Sequence, residues 1–187
     1  MQKYISILRG INVGGKRKIL MSDLKELYQS LGFEDIQTYI QSGNVIFNSS
    51  LDKNEISIQI EKAVFEKYGF EVPVIIRTKE ELQNIQSSNP FIESKENRNK
   101  EKIINNLHLT FLEEVPTTQN IEKTKEIEAK TDDKFEIVEN NIFIFCEGKY
   151  HTSKLTNNFF EKKLKTKATT RNWKTIEKLT ELMISDK

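Results

Sequence analysis

The chain predicts an α+β fold: tandem ferredoxin-like βαββαβ units with antiparallel sheets, each followed by an extra helix. Three observations carry this expectation. Strand-length apolar runs and segments of helical periodicity follow one another as strand, helix, two strands, helix and strand, and the order recurs in the second half. Ser42-Gly43 and Asn140-Asn141 part β-rich runs at corresponding places in the two halves. The length, 187 residues, accommodates two such units. A single open α/β domain with a longer sheet is the rival, and the strand–hairpin–strand rhythm favours it less.

In the first half, residues 4–8 (YISIL) read as a buried strand that ends at Arg9 and a glycine-rich turn. A helix follows, with Ser22 as its N-cap, Asp23 and Glu26 in its first turn, and Leu24, Leu27, Tyr28 and Leu31 on one face. Gly32 stops it. Residues 36–41 and 44–48 flank the Ser42-Gly43 hairpin, residues 53–68 carry a stripe of Ile56, Ile60, Ala63 and Val64, and Gly69 ends that helix. Residues 71–77 form the last strand, and a helix starts at Lys79.

The second half opens with a strand at 107–112, then a charged helix from Pro116-Thr117-Thr118 to about Lys130. Strands at 135–138 and 142–146 come next, then a helix at 155–164, a short extended piece at 167–170, and a last helix carrying Trp173, Ile176, Leu179 and Met183. Residues 87–106, rich in polar and charged side chains, read as a linker or surface excursion. The expected organisation is therefore residues 1–86, linker 87–106, and residues 107–187.

Bulk composition narrows the function classes. Hydrophobic residues make up 36% and charged residues 30%, with 29 basic against 28 acidic, so net charge selects neither a nucleic-acid binder nor an acidic tail. Cys146 is the single cysteine, which excludes a disulfide framework and a cysteine-based metal site. The start, MQKYISILRG, lacks a signal-peptide apolar run, and no stretch approaches the roughly 20 apolar residues of a membrane span. A cytoplasmic protein with no membrane partner is expected.

Chemistry concentrates in Gly10-Ile11-Asn12-Val13-Gly14-Gly15-Lys16, between a strand and a helix. Glycine-rich turns can turn several backbone N–H groups into one concavity, and neighbouring cations add charge, which is how anions are held. The run also fits G-x-x-x-x-G-K, but Arg17 stands where a P-loop needs Ser or Thr for magnesium. The bland alternative is a turn whose glycines reverse the chain beneath solvated Lys16, Arg17 and Lys18. A second basic concentration spans residues 149–174, eight Lys or Arg against Glu161 alone. Arg171, with Thr170 as a helix N-cap beside it, reads as an anion contact; Lys162, Lys163 and Lys165 read as a solvated helix face. The expected ligand set is Arg9, Asn12, Gly14, Gly15, Lys16 and Lys18, with Gln41, Ser42 and Asn44 of the hairpin and Ser153, Lys154, Thr170, Arg171, Asn172 and Trp173.

The runs LRGINVGG (residues 8–15) with Lys18 and Met21, TYIQSGNV (38–45), Asn89-Pro90-Phe91, Ser153-Lys154-Leu155 and ATTRNW (168–173) resemble a family of small bacterial proteins catalogued as domain of unknown function 1697. The resemblance spans nearly the whole chain. It implies tandem ferredoxin-like units and brings no established activity. Relatives tend to have Gly and Arg ahead of the Ser-Lys-Leu run, where this chain has Tyr150-His151-Thr152.

Catalytic sets are thin. His108 and His151 have no second His or Cys at metal-ligand spacing, adjacent Ser153 and Lys154 diverge on a helix, and Cys146 ends an apolar run as a core thiol. The RNA-recognition motif shares the element order, but Asn44-Val45-Ile46-Phe47 lacks its aromatic signature. Phe143 and Phe145 alternate for one sheet face and are expected to be buried; Tyr39 and Gln41 share a strand face and are candidates to line a site opposite the helices, with half-burial of Tyr39 at a domain contact as the equal alternative. The expectation is a non-catalytic binder of nucleic acid or a phosphorylated small molecule, with no cofactor and no metal. The alternatives are an enzyme on a nucleotide-like or phosphorylated small molecule, and a protein-interaction adaptor.

Overall fold

The structure, a computed structural model, describes residues 1–92 and 100–185. The middle of the expected linker, residues 93–99, lies outside the described residues. The chain forms two four-stranded antiparallel sheets with helices, and divides into two compact units, Met1–Leu82 with Leu179–Lys187, and Gln83–Lys178. Residues 179–187 are thus grouped with the first unit rather than with residues 107–178.

In the first unit, β1 (Gln2–Leu8), α1 (Met21–Ser30), β2 (Glu34–Tyr39), β3 (Asn44–Ser49), α2 (Lys53–Tyr68) and β4 (Val74–Thr78) give the strand order β2-β3-β1-β4. Tyr4 and Leu8 of β1, Val45 and Phe47 of β3, and Val74 and Ile76 of β4 share one core with Leu24 and Tyr28 of α1 and Ile56, Ile60 and Val64 of α2. The alternate residues Ile5, Ile7, Ile46 and Ile75 are equally buried, so β1 is covered on both faces and is apolar from Tyr4 to Leu8 except at buried Ser6. Burying that many apolar side chains is the main drive for the unit.

Helix ends follow local chemistry. Asp52 caps α2 through Asn54 and Glu55, with Glu55 reaching back to the Asp52 amide in a capping box, and Gly69 at φ 74° closes the helix. The Ser22 cap expected for α1 is not made: the helix starts two residues earlier, at Met21 behind extended Leu20, and the Ser22 hydroxyl turns to Asp23 instead.

After α3 (Lys79–Ser87) and α4 (Lys100–Asn106), the chain runs β5 (Leu107–Leu112), α5 (Thr118–Glu122), a 3₁₀ turn (Lys125–Lys130), β6 (Lys134–Val138), β7 (Asn141–Phe145), a 3₁₀ turn (Tyr150–Thr152), α6 (Asn157–Leu164), β8 (Ala168–Asn172) and α7 (Trp173–Ile184), of which the residues up to Lys178 belong to the second unit. Its strand order is β6-β7-β5-β8. The charged helix expected to reach Lys130 is broken: the Thr124 hydroxyl donates to the Ile121 carbonyl, and 3₁₀ geometry follows. Leu112, Ile142, Ile144, Cys146, Leu155, Phe160, Leu164 and Ala168 pack as one core. Among the described residues, no helix is long and apolar enough to cross a membrane.

Candidate functional site

The glycine-rich segment is a miniature hairpin. The Lys16 amide donates to the Val13 carbonyl and the Asn12 amide to the Arg17 carbonyl, each at 3.1 Å. Gly14 and Gly15 between them have φ of 58° and 74°, the left-handed pair that a type I′ turn requires. Helix α1 begins only at Met21, so no helix N-terminus opens at Lys16 as a P-loop would demand.

Asn12 buckles this hairpin to the rest of the unit. Its Nδ2 donates to the carbonyls of Ile19 (2.9 Å) and Gln41 (2.8 Å), and its Oδ1 accepts the Ile19 amide (2.9 Å). The β2–β3 turn meets the loop from the other side. The Leu8 amide donates to the Gly43 carbonyl at 2.8 Å, and a Cβ on Gly43 would lie 2.6 Å from Ile11 Cδ1. Buried Asn44 donates to the Tyr39 carbonyl and to Ser42 Oγ, both at 3.1 Å. The side chains of Asn12 and Asn44, expected as ligand contacts, are thus committed to the chain's own backbone and turn.

What stays open is charge. Lys16, Arg17 and Lys18 are exposed, with no carboxylate partner among the described residues, and the exposed Gly14 and Gly15 amides have no acceptor among them. Arg9 is half-buried. Beside the cations stand exposed Val13 and Leu20.

The C-terminal members of the expected set lie in the other unit, and most are structural. Ser153 Oγ donates to Asp133 Oδ2 at 2.6 Å and accepts the Leu155 amide, while Asp133 Oδ1 accepts the Glu147 amide. Lys154 Nζ donates to the Lys130 carbonyl at 2.6 Å. Thr170 is not the cap of the last helix: Asn172 Oδ1 takes the Thr175 amide at 2.8 Å, because β8 runs on to Asn172. Thr170 instead gives its hydroxyl hydrogen to Asn157 Oδ1 (2.6 Å) and accepts from Tyr150 (3.0 Å) and Thr110 (2.7 Å). Trp173 is buried against Phe143 at 6.2 Å between ring centroids.

Arg171, read from the sequence as an anion contact, is buried. Its register partner is Leu109, its Nη1 donates to the Thr170 carbonyl at 2.9 Å, and burial pushes the guanidinium down to about 10, still a cation at neutral pH. Arg77 repeats this in the first sheet: opposite Ile5, buried, Nη1 on the Ile76 carbonyl, and likewise lowered to about 10. No residue pattern announced either. Two further cations of residues 149–174 are paired, Lys163 with Glu126 at 2.7 Å and Lys167 with Glu113 at 3.1 Å.

His108 stacks on Tyr150 at 4.5 Å, and burial lowers its pKa; the Cys146 thiol is pushed up to about 11 by burial. Among the described residues, no group of three His, Cys, Asp or Glu side chains is placed to hold a metal.

The family model described as "Protein of unknown function (DUF1697)" matches residues 1–143, and the chain belongs to that family. Its fold is similar to the solved structure of a conserved bacterial protein from Streptococcus pneumoniae: TM-score 0.70, 23% identity, 97% of this chain and 98% of that one covered. No curated protein matches the chain.

Proposed function

We propose that this member of the family is a non-catalytic, cytoplasmic binder of phosphate-bearing ligands, nucleic acid foremost, folded as tandem ferredoxin-like units. One observation carries the reading: Lys16, Arg17 and Lys18 are consecutive, exposed and without a carboxylate partner among the described residues, on a hairpin that Asn12 anchors. A rigid mount lowers the ordering cost of the contact, and unpaired cations release counterions from a phosphate backbone. The buried Arg171 and the paired lysines of the second unit take no part in this reading, which therefore narrows to residues 9–18.

The test is fluorescence anisotropy of labelled nucleic acid over a salt series. Replacing Lys16, Arg17 and Lys18 together by Ser is expected to weaken binding and to reduce the log–log salt slope by about 2 to 3. A triple variant that binds with the wild-type slope sinks the assignment. Absence of binding at low salt, with thermal stabilisation by one nucleotide or sugar phosphate, favours the enzyme alternative.

A further inference from the structure

We infer that the loop takes single-stranded rather than duplex nucleic acid, with bases resting on Tyr39 and Ile40 while phosphates meet Lys16, Arg17 and Lys18; this rests on the reading above. Tyr39 ends the edge strand β2 and is half-buried, and its side chain has neither a hydrogen bond nor a ring contact among the described residues. Every other tyrosine makes one or the other: Tyr4, Tyr28 and Phe47 form an aromatic group, Tyr68 stacks on Phe70, and Tyr150 stacks on His108. Tyr39, half-buried, is the tyrosine left without a ring or hydrogen-bond partner among the described residues.

Ile40 beside it has φ 49°, a region that disfavours a β-branched side chain, and is 46% exposed. Two asparagine amides hold it there, Asn44 on the Tyr39 carbonyl and Asn12 on the Gln41 carbonyl. Surroundings that over-determine a strained residue and hold an apolar group in water mark a contact position. Asn12 also ties this turn to the basic hairpin, so stacking surface and cations share one mount.

A duplex hides base faces between its pairs and would leave Tyr39 and Ile40 without a partner, whereas a single strand offers both faces of each base. The sheet-face platform of RNA-recognition modules is closed in this unit, because Ile5, Ile7, Ile46 and Ile75 on the face away from α1 and α2 are buried. Base contact is left to the edge and its turn.

The experiment measures anisotropy of the full chain with labelled oligothymidylate, a DNA duplex of equal phosphate count, and competing anionic phosphatidylglycerol vesicles. Tyr39→Ala is expected to weaken oligothymidylate binding about tenfold and leave duplex binding within about twofold, with Tyr39→Phe close to wild type. Ile40→Gly relieves the left-handed strain while removing the apolar group, so it keeps the fold and also weakens oligothymidylate binding. The inference is overturned if both variants bind oligothymidylate as wild type does, if they weaken duplex binding equally, or if vesicles displace the oligonucleotide at equal charge. The function itself fails on a different result, a triple cation variant that binds both probes unchanged.

Discussion

Gly43 concentrates the loop's constraints in one residue. Its φ is 79°, and an added Cβ would meet Ile11 Cδ1 at 2.6 Å and Leu8 Cβ at 2.9 Å, both on buried side chains that cannot swing aside. Gly43→Ala is expected to destabilise by about 2–4 kcal/mol, strain and overpacking together, read as a lower urea midpoint at unchanged m-value. A midpoint within error of wild type would show that the turn can move off Ile11. The sequence located this loop and its hairpin partner but assigned Asn12 and Asn44 to a ligand. An amide side chain donates equally well to a phosphate and to a carbonyl, and the deciding carbonyl of Gln41 lies 29 residues from Asn12. Arg171 was misplaced for a related reason: a guanidinium beside Thr and Asn looks wet until the register sets it opposite Leu109.

Elements were legible where two local signals agreed. Residues 53–68 carry an apolar stripe and end at Gly69, and α2 spans those residues; β5 likewise occupies 107–112. Residues 116–130 offer only Ile121 and Ile127 as apolar anchors among charged side chains, too narrow a stripe to hold one helix through Thr124. The start of β2 moved to Glu34 with an irregular register between Glu34 and Gln37 and with Asp35 at φ 50°, features that strand propensity does not foresee. The capping box of α2 supplies the prediction at this scale. Asp52→Ala strips the acceptor from the Asn54 and Glu55 amides and is expected to lower stability by about 1 kcal/mol, with Asp52→Asn retaining most of it. Equal losses in thermal melts of the two variants would mean the charge, rather than the cap, is what α2 uses.

For the whole molecule, buried titratable groups set the pH range of stability. His108 has its pKa lowered by burial, so the unfolded chain binds a proton that the folded chain resists; stability is full above 6.5 and falls as pH drops below that value. Cys146 works from the alkaline side. Its folded thiol is raised from 9.0 to about 11, so the unfolded chain ionises first, and stability present below 9.0 is lost as pH rises towards 11. Tyr28, fully buried against Ser6, and the half-buried Tyr150 are raised in the same sense and steepen that limb. Arg77 and Arg171, lowered to about 10, stay charged throughout the neutral range and add no slope there. The melting temperature should therefore be flat from about pH 7 to 8.5 and decline on both sides. Calorimetry across pH on three proteins separates the contributions: His108→Gln should flatten the first part of the acid limb, just below 6.5, and Cys146→Ala the first part of the alkaline limb. An acid limb unchanged in His108→Gln would return that slope to the carboxylates, which titrate further down.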